Sequence, residues 1–170
     1  YLNLIDYWRH NPNGTTIGKA LNMGKITLIR LGSLLYATDR AVNLFKLREA
    51  LNQGIVVCDR YDVSNLAYQG AKLKDEDRVG LIKWLRELER DHVGLPIPDL
   101  IIYLNLPPEK AREAMESEGR KLDMHERNLP YLIGVNTLYL ELARKEYWHI
   151  IECLMEGKRK TVETISSEIW

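Results

Sequence analysis

Ile55-Val56-Val57-Cys58-Asp59-Arg60-Tyr61-Asp62-Val63-Ser64-Asn65-Leu66-Ala67-Tyr68-Gln69-Gly70 is the stretch on which the fold turns. It opens on a continuous apolar run, without the alternation of a strand that has one wet face. That pattern suits a parallel strand covered on both sides. At the carboxyl end of the run stand an acid and a guanidinium, Asp59 and Arg60. Parallel sheets bind ligands outside the carboxyl ends of their strands. An Asp-Arg pair alone is weak: its plain reading is a surface ion pair that stabilises little. Its chemical reading is a carboxylate holding hydrated Mg2+ beside an arginine that clamps phosphate oxygens.

Outward from this junction, three more apolar runs read as strands: Leu2–Tyr7, Leu100–Leu104 and Trp148–Ile151. Helical stripes lie between them. Leu81, Trp84, Leu85 and Leu88 recur at i, i+3, i+4 and i+7, and Leu132, Val135, Tyr139 and Leu142 follow with helical drift. Leu44, Leu47 and Leu51 form a third stripe that Gly54 ends. Pro107-Pro108 suits the first turn of a helix that Gly119 closes, and a last amphipathic turn or two runs from Thr161 to Trp170. Strands alternating with helices predict an α/β fold with a parallel sheet. At 170 residues, with no linker or internal repeat, the chain is expected to form one domain.

The net charge is zero and Lys and Arg form no basic block, which speaks against a nucleic-acid surface. No apolar stretch approaches a membrane span. Cys58 and Cys153 fall in or beside apolar runs, outside any CxxC pattern, and are expected as buried free thiols rather than zinc ligands. A cytoplasmic protein is the default expectation.

The longer pattern is far more specific than Asp-Arg. Asp-Arg-Tyr-x-x-Ser-x-x-Ala-Tyr-Gln, Asp59 to Gln69, resembles the signature of the thymidylate kinase family at every fixed position. Leu34-Leu35-Tyr36-Ala37-Thr38-Asp39-Arg40 is similar to that family's Leu-Leu-Phe-Ala-Ala-Asp-Arg helix. Leu95–Leu104, Leu138–Ala143 and Glu168–Trp170 are similar to its later segments, so the resemblance covers nearly the whole chain. It implies a P-loop nucleoside monophosphate kinase fold. It also implies transfer of the ATP γ-phosphoryl group to thymidine monophosphate (dTMP), giving dTDP in dTTP biosynthesis, with Mg2+ as cofactor.

The resemblance further implies residue roles. Asp59 would orient Mg2+ through water, and Arg60 would bridge acceptor and donor phosphates. Ser64 and Gln69 would hydrogen-bond the thymine edge. Tyr68 would pack on the sugar, where a 2′-hydroxyl would crowd it. Tyr36, standing where the family has Phe, would stack on the pyrimidine; a core aromatic is its plain alternative. Arg40, four residues on along the same helix, would donate to thymine O4. Family members pair as homodimers, and the Leu34–Leu51 helix is apolar enough to serve, although it would equally suit core.

Three departures stand out. GxxxxGK[ST] occurs nowhere in the sequence, which opens on what reads as a second strand. A strand, a phosphate loop and a helix, about thirty residues by usual element lengths, are expected to be missing. A sheet without that central strand would expose apolar surface and open edges. Second, Arg9-His10-Asn11-Pro12-Asn13-Gly14 departs from the family's Arg-Glu-Pro-Gly-Gly, leaving Arg9 (favoured) or His10 to meet the acceptor phosphate. Third, in the lid window at about 116–129, Met124 stands between Asp123 and Glu126 where the family has Arg. Arg120 is the assigned substitute, with Lys121 and Arg127 as alternatives; a solvated helix end is the plain reading. The rival functions are a kinase of another pyrimidine (deoxy)nucleotide and a non-catalytic or truncated nucleotide-binding remnant.

Overall fold

The structure is a computed structural model in which residues 25–119 and 128–170 are described. The chain divides into two compact units, meeting in sequence at Leu95 and Pro96.

The first unit is helical where described. Helix α1 (Lys25–Leu51) buries Ile29, Ser33 and Ala37, a stripe at spacing four. Its two small residues let a neighbouring backbone come close, and the Ser33 hydroxyl donates to the Ile29 carbonyl at 2.8 Å. Helix α2 (Asp62–Gly70) buries Val63, Leu66 and Ala67 and packs on α1. Helix α3 (Asp75–Arg86) has three acids in its first turn and Lys83 and Arg86 in its last, both matched to the helix dipole. Leu81 and Leu85 are fully buried. The helix then widens into a π-helical turn, Glu87–His92, in which Val93 N–H reaches back to the Leu88 carbonyl at 2.9 Å. Gly94, at φ 75°, takes the left-handed conformation that reverses the chain; its carbonyl accepts from Arg48.

The second unit is α/β. Strand β1 (Ile102–Asn105) leads into helix α4 (Pro108–Ser117), which carries proline in its first turn and is followed by Gly119 at φ 68°. Helix α5 (Leu129–Lys145) is capped by Asn128, whose side chain accepts from Tyr131 N–H, and buries Val135, Leu138, Leu142 and Ala143. Strand β2 (His149–Glu152) pairs parallel with β1, Ile102 opposite His149 and Asn105 opposite Glu152. Tyr103, Tyr139 and Trp148 pack as an aromatic cluster between α5 and the strands. A short hairpin, β3 (Leu154–Met155) and β4 (Lys158–Arg159), turns through Glu156 and Gly157, both at positive φ as a two-residue I′ turn requires. Helix α6 (Val162–Ile169) starts at the Thr161 cap.

The parallel α/β expectation is met by β1 and β2, each displaced by a residue or two from its apolar run. The run Ile55–Cys58 is a correction. It is not a strand among the described residues, and Ile55 and Val57 are 97% and 89% exposed. The pattern encodes a strand that wants two covered faces but does not supply the cover. The run Leu2–Tyr7, also expected as a strand, lies outside the described residues, as do residues 120–127 of the lid. Cys58 on this run is exposed, against expectation, whereas Cys153 is buried and its thiol is pushed up by burial.

Candidate active site

The chain leaves the exposed 55–58 run and enters α2 through Arg60, which sits at φ 66°. A left-handed conformation costs a non-glycine residue about 1–2 kcal/mol. Such strain persists where the side chain is needed or the surroundings impose it. The Arg60 guanidinium lies over the Tyr68 ring, 5.1 Å from its centroid, and its Nη2 donates to the Tyr68 hydroxyl at 3.4 Å. Asp59 and Arg60 are exposed, while Ser64 and Tyr68 are half-buried along α2.

Beneath α2 the polar groups are buried. Arg40 of α1 donates through Nε and Nη2 to Glu89 Oε2 and Oε1, at 2.7 and 2.6 Å. Glu89 is 1% exposed. Asn65 Nδ2 donates to Glu89 Oε1 at 2.8 Å and to the Ser33 carbonyl at 3.1 Å. The other end of that amide, Asn65 Oδ1, is buried and has no hydrogen-bond partner among the described residues.

A second charged cluster adjoins the start of α2. Buried Asp62 accepts from Arg90 Nε and Nη2 at 3.2 and 3.1 Å. Burial lowers the Arg86 pKa, Arg90 adds to that, and Asp62 opposes it. Burial, then the charge of Asp62, pushes the Tyr61 phenol up to about 12. Tyr61 therefore stays a neutral donor throughout the physiological range. At the far end of α2, Gln69 is buried and its Oε1 accepts from Lys72 Nζ at 2.8 Å; burial lowers the Lys72 pKa.

Asp59 and Arg60 thus sit together at the mouth of α2, and Ser64, Tyr68 and Gln69 follow along that helix. Tyr36 is exposed on α1, one turn before Arg40. Arg9 and Arg120 lie outside the described residues, with His10, Lys121, Asp123, Met124, Glu126 and Arg127. Among the described residues no group of three or more His, Cys, Asp or Glu is placed to hold a metal ion. The sequence reading missed Glu89 and Asn65. Glu89 carries a usable signal: it continues the Leu81, Leu85 stripe at spacing four, an acid where the pattern asks for an apolar residue.

A family model described as Thymidylate kinase matches residues 5–165. A protein of Thermomicrobium roseum named thymidylate kinase is 33% identical over 167 residues, covering 94% of this chain and 73% of that protein. The chain belongs to the thymidylate kinase family. A thymidylate kinase of Dictyostelium discoideum is 30% identical over 95% of this chain and 65% of its own length. A probable thymidylate kinase of Methanocaldococcus jannaschii is 29% identical over 96% and 79%. Membership of the thymidylate kinase family carries the P-loop kinase fold and dTMP kinase function. No described helix is long and apolar enough to cross a membrane.

Proposed function

We propose that this chain binds dTMP along α1 and α2 and presents its 5′-phosphate to the γ-phosphoryl group of ATP. The supporting observation is that half-buried Arg40, a donor, and Asn65, whose buried Oδ1 is an acceptor without a partner among the described residues, meet at Glu89 from adjacent helices. The imide edge of thymine offers the complement, an acceptor at O4 and a donor at N3. Arg40 keeps Nη1 outside its contact with Glu89, so it donates to O4 while still paired. Ser64 and Gln69 flank the base edge. Because Lys72 engages the Gln69 carbonyl, Gln69 contributes its amide N–H groups. Tyr36 covers the ring face, and Tyr68 packs on the deoxyribose.

At the other end of the acceptor, Arg60 bridges the two reacting phosphates and Arg9 holds the acceptor phosphate. An acceptor phosphate oxygen attacks the γ-phosphorus and the bond to the ADP oxygen breaks, giving dTDP and ADP. The requirement is alignment and charge neutralisation, which a guanidinium fork supplies. Mg2+, when bound, neutralises phosphate charge. A lone exposed carboxylate, Asp59, fits an ion that keeps its waters and is held mainly by substrate oxygens. Arg120 supplies lid charge in this reading. A single kinase domain acts as a homodimer in the cytoplasm, the second copy covering the outward face of α1 where Leu35, Val42 and Phe45 are exposed.

Steady-state assay of ATP and Mg2+ against dTMP, dUMP, dCMP and dGMP tests the proposal. Thymidylate is expected to dominate and chelation of Mg2+ to abolish turnover; equal use of dCMP would remove the base-edge reading. Calorimetry tests the ATP side separately: binding of dTMP with no binding of ATP would remove the kinase reading and leave a nucleotide-binding role.

A further inference from the structure

Glu89 touches both groups to which the base edge is assigned, and its chemistry constrains one of them. Its two oxygens are acceptors only, and so is the Ser33 carbonyl. Asn65 faces both, so its amide has one workable orientation: Nδ2 toward Glu89 and Ser33, Oδ1 turned away. Rotating the amide would set its oxygen against two acceptors, in a site where Glu89 and Asn65 are 1% and 4% exposed. The same carboxylate grips Arg40 through two nitrogens, which fixes the plane of the guanidinium.

We infer that Glu89 sets the polarity of the base site: by holding Arg40 as donor and Asn65 Oδ1 as acceptor, it selects a pyrimidine with a proton on N3 over one without. The inference rests on the reading that the base lies against Arg40 and Asn65. Cytosine presents the reverse pattern, an amino donor at position 4 and a bare acceptor at N3. Against this wall it meets donor with donor and acceptor with acceptor. Glu89 is a positioning residue here, acting through its two neighbours without touching the substrate.

Glu89→Gln is the informative change. The new carboxamide puts a donor where an acceptor stood. With its oxygen in the place of Oε1 it still accepts from Arg40 Nη2 and Asn65 Nδ2, and its NH2 then opposes Arg40 Nε, so the guanidinium assigned to the base is no longer held in its plane. The expected result is a fall of at least about tenfold in the ratio of kcat/KM for dTMP to that for dCMP, the scale set by one mispaired buried polar group. Glu89→Asp, still acceptor-only, is expected to keep the ratio even where it raises KM. Equal losses on both nucleotides in Glu89→Gln, or a collapsed ratio in Glu89→Asp, would overturn the inference.

Two measurements on the unsubstituted protein keep the question decidable if Glu89→Gln does not fold. The Asn65 side-chain NH2 resonances are expected to exchange slowly and to move little when dTMP binds. A large shift on binding would place the donors at the ligand and overturn the inference. Separately, 3-methylthymidine 5′-phosphate lacks the N3 proton. Its phosphorylation at the dTMP rate would sink the base-site reading itself, whatever Glu89 does.

Discussion

At one end of the candidate site buried Asn65 and Glu89 are tied to half-buried Arg40; at the other, Asp59 and Arg60 stand exposed on a run that no described strand pairs. The two ends are close in sequence and differ in what builds them. The buried end is made by three helices that follow one another, α1, α2 and α3 with its π-helical turn, so its contacts need only short loops to close. The exposed end depends on a strand position, and strands are completed by partners remote in sequence. A site assembled this way has its selectivity set by the rigid end and its turnover by the open one.

The sharpest test of that division is Arg60→Ala. Turnover is expected to fall by about a thousandfold or more, the scale of an arginine directed at a transferring phosphoryl group. Stability should barely change: an exposed cation–π contact contributes about 0.5–1 kcal/mol, and Ala tolerates a left-handed φ no better than Arg. Unchanged kcat would reduce Asp59-Arg60 to a surface pair and erase the distinction between the ends.

The buried end predicts the opposite signature. Arg40→Met leaves the Glu89 carboxylate enclosed without its cation and should cost about 3–5 kcal/mol in urea unfolding. Arg40→Met with Glu89→Leu should recover most of that loss, because the stranded charge is gone. A single substitution costing under about 1 kcal/mol would mean that water reaches Glu89 and the end is not closed.

The same contrast explains what could be read before the fold was known. Helices were legible because their signals are local: the Leu81, Leu85 spacing, Pro108 at a first turn, Gly119 after a last one. Strands β1 and β2 were legible to within two residues, since both apolar runs found each other. Ile55–Cys58 reads as strongly as Leu100–Leu104, yet only the latter is paired; composition specifies that a run wants cover and not where cover comes from. Cys58 was misjudged with it. Within the site, Asp59 to Gln69 was visible as a pattern, whereas Glu89 was signalled only by its spacing of four from Leu85 and otherwise looks like an ordinary acid at a helix end. Only the packing of α3 against its neighbours turns that acid inward.

Tyr61, between the two ends, gives a pH test. Its phenol titrates at about 12 against 10.0 for an unperturbed tyrosine. From pH 10 to 12 the unfolded chain gives up this proton while the folded chain holds it, so proton loss favours unfolding. The contribution is fully present below pH 10 and is lost as pH rises through 12. Urea midpoints taken from pH 9 to 12 should fall, and Tyr61→Phe should flatten part of that fall. An identical slope in Tyr61→Phe would show that the phenol is as solvated as the Asp59-Arg60 tip.

The smallest expected effect bears directly on the exposed end. Val57 is 89% exposed, so Val57→Lys removes almost no buried apolar surface and should shift stability by no more than about 0.5 kcal/mol. The same substitution in a strand covered on both faces would forfeit the roughly 1.5–3 kcal/mol of burying an aliphatic side chain and would enclose an ammonium as well. The two outcomes differ by more than the error of a urea titration. A near-neutral Val57→Lys means that Arg60 acts from an uncovered tip and that the helices alone hold α2 in place. A loss of about 2 kcal/mol or more means that chain from elsewhere covers Ile55–Cys58 in solution, making the Asp59-Arg60 junction as fixed as the base end.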